Sequence, residues 1–135
     1  MKKFSVLMAF VFAVMISSTA LAANWTQIVT QDGAAVYVVR DSIQREIHSS
    51  LCNFDRTDGF SAKIKLEFSG SSFKMINLIG FYEENGVKKM VYLEKLDENG
   101  NVLIDSDNRA EEQNADGTNG TIWPKVFDWL KGDLQ

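Results

Sequence analysis

The chain has one cysteine, one proline and one histidine among its 135 residues. One thiol cannot close an internal bridge, so a domain built from this sequence must be held by packing rather than by disulfides. His48 and Cys52 also leave little material for a metal centre or a nucleophilic pair. On an extended strand they would share a face about 13 Å apart by strand rise, too far for their side chains to meet. The sequence contains no G-x-S-x-G, no H-E-x-x-H and no phosphate-cradling glycine loop. Paired acids such as Glu83-Glu84 and Glu111-Glu112 fall in turn or loop sequence, where solvation accounts for them. Neither an enzyme activity nor a cofactor is expected. Basic charge is scarce too: the net charge is −4, and two of the lysines lie at the extreme N-terminus. Such an acidic domain is not drawn to nucleic acid or to anionic lipid.

Long apolar runs are equally rare, and the one present is a targeting signal. Met1-Lys2-Lys3 is followed by a largely apolar run from Phe4 to Ile16 and a small-x-small site, Ala20-Leu21-Ala22. These are the three parts of a secretory signal peptide, assigned to residues 1–22. The run is short for a membrane span, which needs about 20 residues. No cysteine stands directly after the cleavage site, so a lipid anchor there is not expected, and the short run makes a membrane span unexpected as well. The mature unit, residues 23–135, is expected to be a single exported domain, periplasmic or at the cell surface.

What the mature sequence does contain is strand pattern. From Phe60 to Phe68, Ala62, Ile64, Leu66 and Phe68 alternate with Lys63, Lys65 and Glu67, the period of a strand with one wet face. Residues 73–82 and 87–95 read as two further strands. Asn85-Gly86 between them is a strong hairpin signal, because both residues tolerate positive φ. Upstream, Trp25–Gln31 and Ala35–Val39 read as strands around an Asp32-Gly33 turn, and residues 46–54 as a diluted strand. Asp41 or Ser42 suits the cap of a single helical turn. Val102–Ile104 reads as a last short strand, and residues 105–120 as one flexible acidic loop.

The tail regains order. In residues 121–131, Ile122, Trp123, Val126, Phe127, Trp129 and Leu130 make an apolar face opposite Lys125, Asp128 and Lys131. Thr121 suits the N-cap, Pro124 is tolerated in the first turn, and Gly132 is expected to end the helix. The expected fold is α+β: an antiparallel meander of about six strands with the C-terminal helix packed on one face. Asp97, Asn99 and Asn101 begin a calcium-loop spacing, but Val102 stands where glycine is required and Asn108 where glutamate is required. No metal ligand set is assigned.

Several residues together resemble the surface-adhesin protein E-like family of small exported bacterial domains. They are Trp25 near the cleavage site, Val36-Tyr37-Val38, and Asp41-Ser42-Ile43. Further along come Ser61-Ala62-Lys63-Ile64-Lys65, Glu67-Phe68, and Trp123-Pro124 leading into the final helix. The resemblance implies an antiparallel sheet with a C-terminal helix, a place at or outside the cell envelope, and adhesin-like recognition of matrix or serum proteins. It also implies a capacity to dimerise. This chain has Ser69-Gly70 where the family often has a cysteine, so a bridge from helix to sheet is missing and the helix must be held by burial.

The expected function is non-catalytic binding of an extracellular or envelope protein. Two alternatives stay open: a self-associating envelope component, and a small-ligand binder using a pocket between helix and sheet. The expected interaction surface is the uncovered sheet face, Lys63, Lys65 and Glu67, together with Trp129 at the margin of the helix's apolar face. Cys52 is a candidate for an intermolecular disulfide in a homodimer.

Overall fold

The computed structural model describes residues 23–135. The signal peptide assigned to residues 1–22 lies outside the described residues. Eight strands run in chain order: β1 Trp25–Gln31, β2 Ala34–Val39, β3 Ile47–Ser49, β4 Phe54–Arg56, β5 Phe60–Phe68, β6 Lys74–Glu84, β7 Val87–Lys95 and β8 Glu111–Asn114. One helix, α1, spans Ile122–Asp133. Six strands form the main antiparallel sheet in the order β1-β2-β5-β6-β7-β8, while β3 and β4 make a separate hairpin. The expected α+β architecture is present.

The local chemistry explains the connections. Asp32-Gly33 and Asn85-Gly86 all adopt positive φ, between 51° and 80°, the backbone that two-residue hairpin turns require. Between β2 and β5 the chain leaves the sheet in a short 3-10 turn at Arg40–Ser42 and forms the β3–β4 hairpin before returning. The single diluted strand expected over residues 46–54 is in fact two three-residue strands reversing through Asn53, whose φ is 52°. The stretch 105–120 is likewise not one loop. Glu111–Asn114 pairs with Lys89–Tyr92 and becomes the sheet's outer strand, although nothing in its sequence favours a strand. Its place comes from β7, whose free edge needs hydrogen-bond partners. Val102 makes only an isolated bridge with Leu96 rather than a strand.

One face of the sheet carries the main core. Val36 and Val38 of β2, the even-numbered residues Phe60 to Leu66 of β5, Ile79 and Phe81 of β6, and Met90 of β7 pack under α1. The helix contributes Ile122, Trp123, Val126, Phe127 and Leu130, all buried. Phe127 meets Phe60 edge-on, with centroids 5.0 Å apart, and Phe81 at 6.0 Å. Each fully buried side chain of this size contributes roughly 1.5–3 kcal/mol, and this burial anchors the helix. Thr121 stands before the helix but makes no side-chain cap; its hydroxyl accepts a hydrogen bond from Gln31 of β1. Gly132 does not take a positive φ, so the helix continues past it to Asp133.

The opposite face is closed by two smaller pieces. The β3–β4 hairpin lays Ile47 on the sheet, where it joins Tyr82, Val91 and Leu93 in a second buried cluster. Two glycines make the approach feasible. A Cβ on Gly80 would stand 2.6 Å from Ile47 Cγ2, and one on Gly59 would stand 2.6 Å from Ile47 Cδ1 and 2.5 Å from the Phe81 carbonyl oxygen. Arg56 of β4 stacks on the Tyr82 ring, 4.0 Å from its centroid, while its guanidinium pairs with Asp58 at 2.6 Å and reaches Glu84 at 3.4 Å. The Tyr82 hydroxyl donates to Glu112 of β8, and burial pushes its pKa well above the ordinary tyrosine value. The second piece, the turn at residues 97–101, folds over β5 and β1.

Candidate functional site

Strand alternation directs Lys63, Lys65 and Glu67 to the face away from the helix, as the sequence predicts. That face is not uncovered, however. Lys65 is only 8 % exposed, with its ammonium 5.0 Å from the centroid of Trp25 and 4.9 Å from that of Tyr37. Glu67 lies 3.4 Å from the same ammonium. Two ring faces and a carboxylate replace the water that the buried charge gives up. Lys63 donates to the Gly100 carbonyl at 2.7 Å, and the Trp25 indole N–H donates to the Glu98 carbonyl at 2.8 Å. Lys74 ties Glu98 to the sheet at 2.7 Å; the pairing raises the lysine pKa and lowers that of the glutamate. The three predicted residues thus lie together, but engaged within the protein: Lys63 and the Trp25 that Lys65 backs hold the 97–101 turn, and Glu67 pairs with Lys65. The sequence conceals this because the turn begins 29 residues after the end of β5.

The turn's own shape has a local cause. The Asp97 carboxylate accepts the backbone N–H groups of Asn99 and Asn101 at 2.9 and 3.0 Å, which folds the acidic segment around a side chain. Among the described residues, no group of three or more His, Cys, Asp or Glu is placed to hold a metal ion.

Trp129 is half-buried on the helix, and the Arg40 guanidinium covers its ring at 5.3 Å while also pairing with Asp133 at 3.3 Å. Cys52 is half-buried at the turn of the β3–β4 hairpin, packed against the Ile47 cluster, and its N–H donates to the Ser49 hydroxyl at 3.1 Å. His48 faces outward and bonds to Asp55 across the hairpin, a contact that raises its pKa from 6.5.

Among the described residues, Leu51 of the β3–β4 hairpin is exposed, and the other large exposed apolar side chains lie elsewhere. The β1–β2 turn, the β5–β6 turn and the β7–β8 connection all lie at one end of the main sheet, as its antiparallel order requires. There Phe68 and Phe73 flank the β5–β6 turn with ring centroids 6.3 Å apart, 42 % and 62 % exposed. On the β7–β8 connection Leu103 and Ile104 are 41 % and 75 % exposed. The sequence does not single out these residues, because each continues or borders a strand pattern. The available signal was the position of Phe68 and Phe73 beside Ser69-Gly70-Ser71-Ser72, a connection with no side chain large enough to cover them.

No helix among the described residues is long and apolar enough to cross a membrane. Comparison with known proteins finds no matching family model, no matching curated protein and no matching solved structure.

Proposed function

We propose that this chain is an exported, non-catalytic domain that binds an extracellular or envelope protein through the loop end carrying Phe68 and Phe73. The observation that carries the reading is the solvated aromatic pair itself. Fully burying a phenylalanine is worth roughly 1.5–3 kcal/mol, about half of which is still to be gained at these half-exposed rings, and adjacent aromatic anchors are what protein partners bury at the centre of an interface. Asp105 and Asp107 beside Ile104 disfavour an anionic surface as the occupant. The signal-peptide pattern supports export, and the resemblance to protein E-like domains supports adhesin-like recognition. Elsewhere the prominent polar groups are engaged internally, Lys63 holding the 97–101 turn, Lys65 lying against Trp25 and Tyr37, and Tyr82 holding Glu112 of β8.

The test is surface plasmon resonance against immobilised matrix and serum proteins, comparing the wild type with Phe73→Ser. The variant is expected to lose at least about tenfold in affinity, equivalent to 1.4 kcal/mol, with an unchanged circular dichroism spectrum. No binding to any of them, or equal binding by the variant, overturns the reading. A dimer in light scattering that Phe73→Ser converts to monomer would instead assign the surface to a second copy of the chain.

A further inference from the structure

A cleft of about 250 Å³ opens on the helix side of the sheet. Its origin is a break in strand register. Asn77 of β6 stands opposite Lys95, and Ile79 stands opposite Tyr92, so Leu93 and Glu94 of β7 together face the single residue Leu78. This is a β-bulge. Leu93 packs into the second-face cluster and Glu94 accepts a hydrogen bond from Ser49 of the hairpin, so both bulged residues turn away from the helix side. On the helix side, Tyr92 and Lys95 are therefore separated by three positions instead of two, and the gap between them is the cleft.

Its floor is polar. Asn77 is 8 % exposed, and its side-chain amide opens into the cleft without a hydrogen-bond partner among the described residues. That amide still reaches the solvent in the cleft, where a ligand can take the place of water as its hydrogen-bond partner. Tyr92 forms a wall, held by the Gln113 amide, which donates to its hydroxyl at 3.0 Å, and by edge-on packing against Trp123 at 6.2 Å. Of the charged rim residues, Arg109 is paired with Asp107 at 2.6 Å. Lys95 and Glu111 have no ion-pair partner among the described residues. Register puts Lys95 beside Asn77 and Glu111 beside Tyr92, so a cation and an anion flank the floor. Three strand positions separate them, about 10 Å by strand rise, and both side chains are long enough to close inward on a small molecule.

We propose that this cleft binds a free amino acid, with the ligand carboxylate against Lys95 and the Asn77 amide N–H, and its ammonium against Glu111. A small apolar side chain would lie along Met75 and the Tyr92 ring. The site stands apart from the Phe68–Phe73 surface and does not depend on the protein-binding reading.

The side-chain NH₂ resonances of Asn77 in ¹⁵N-labelled protein report on it directly. Titration with alanine, leucine, glutamate and lysine is expected to give a saturable shift for at least one. Propionate and ethylamine, each lacking one charge, are expected to bind at least about tenfold more weakly. Lys95→Gln and Glu111→Gln, both at exposed positions, are each expected to cost a similar factor while leaving the rest of the spectrum in place. No saturable shift with any of the four amino acids overturns the proposal. So does equal binding of propionate, or unchanged affinity in both variants.

Discussion

The two faces of the main sheet are closed by different physics. The helix face is sealed by bulk: five buried residues of α1 over a continuous layer from β2, β5, β6 and β7. The opposite face is sealed by fit and by polar contacts. There, one isoleucine rests on two glycines, an arginine stacks on a tyrosine, and a lysine sits between two aromatic rings. A face closed by burial depends on volume and tolerates modest changes of shape. One closed by small pieces depends on particular atoms, because no single piece buries enough apolar surface to dock alone.

That contrast can be broken most sharply on the helix face. Phe127→Ala should cost about 3–5 kcal/mol in denaturant unfolding, since it empties the meeting point of Phe60, Phe81 and α1. A loss below about 1 kcal/mol would mean that the helix is not the main lid. On the other face, Gly80→Ala should cost about 1–3 kcal/mol by forcing Ile47 off the sheet. Combining it with Ile47→Ala should give a smaller total than the two single losses added, because the collision is then gone; strict additivity would show that the hairpin does not rest there. Lys65→Met keeps the stem but removes the ammonium from between Trp25 and Tyr37. It should cost about 1 kcal/mol and loosen the 97–101 turn through Trp25, whose indole holds the Glu98 carbonyl, read as faster amide exchange at Gly100.

The smallest effect belongs to the outer surface of the hairpin. Asp55 raises the His48 pKa above 6.5, first through their hydrogen bond and then through its charge. Because the folded value is the raised one, the pair supports the fold below about pH 6.5, and that support fades as pH rises through the folded value. An NMR titration should place the His48 midpoint above 6.5 and return it towards the ordinary value in Asp55→Asn. Identical midpoints would show that the pair does not form in solution.

Local pattern was enough for the strands β1, β2, β5, β6 and β7, for the Asp32-Gly33 and Asn85-Gly86 turns, and for the helix. In each case the alternation, the φ preference or the apolar stripe is a property of neighbouring residues. Those features by themselves determined the α+β class and the face on which the helix packs. Tertiary structure alone decided what lies on the other face. Glu111–Asn114 became a strand because β7 had an unfilled edge, while Lys63 was covered by a turn some thirty residues away and Lys65 by the rings of Trp25 and Tyr37 from neighbouring strands. The aromatic pair at the loop end and the Asn77 cleft are of the same kind. Exposure of Phe73 depends on what fails to cover it, and the cleft depends on a bulge that compares two strands. Periodicity records which way a side chain points along its own strand; it holds no information about what arrives from elsewhere in the chain to meet it.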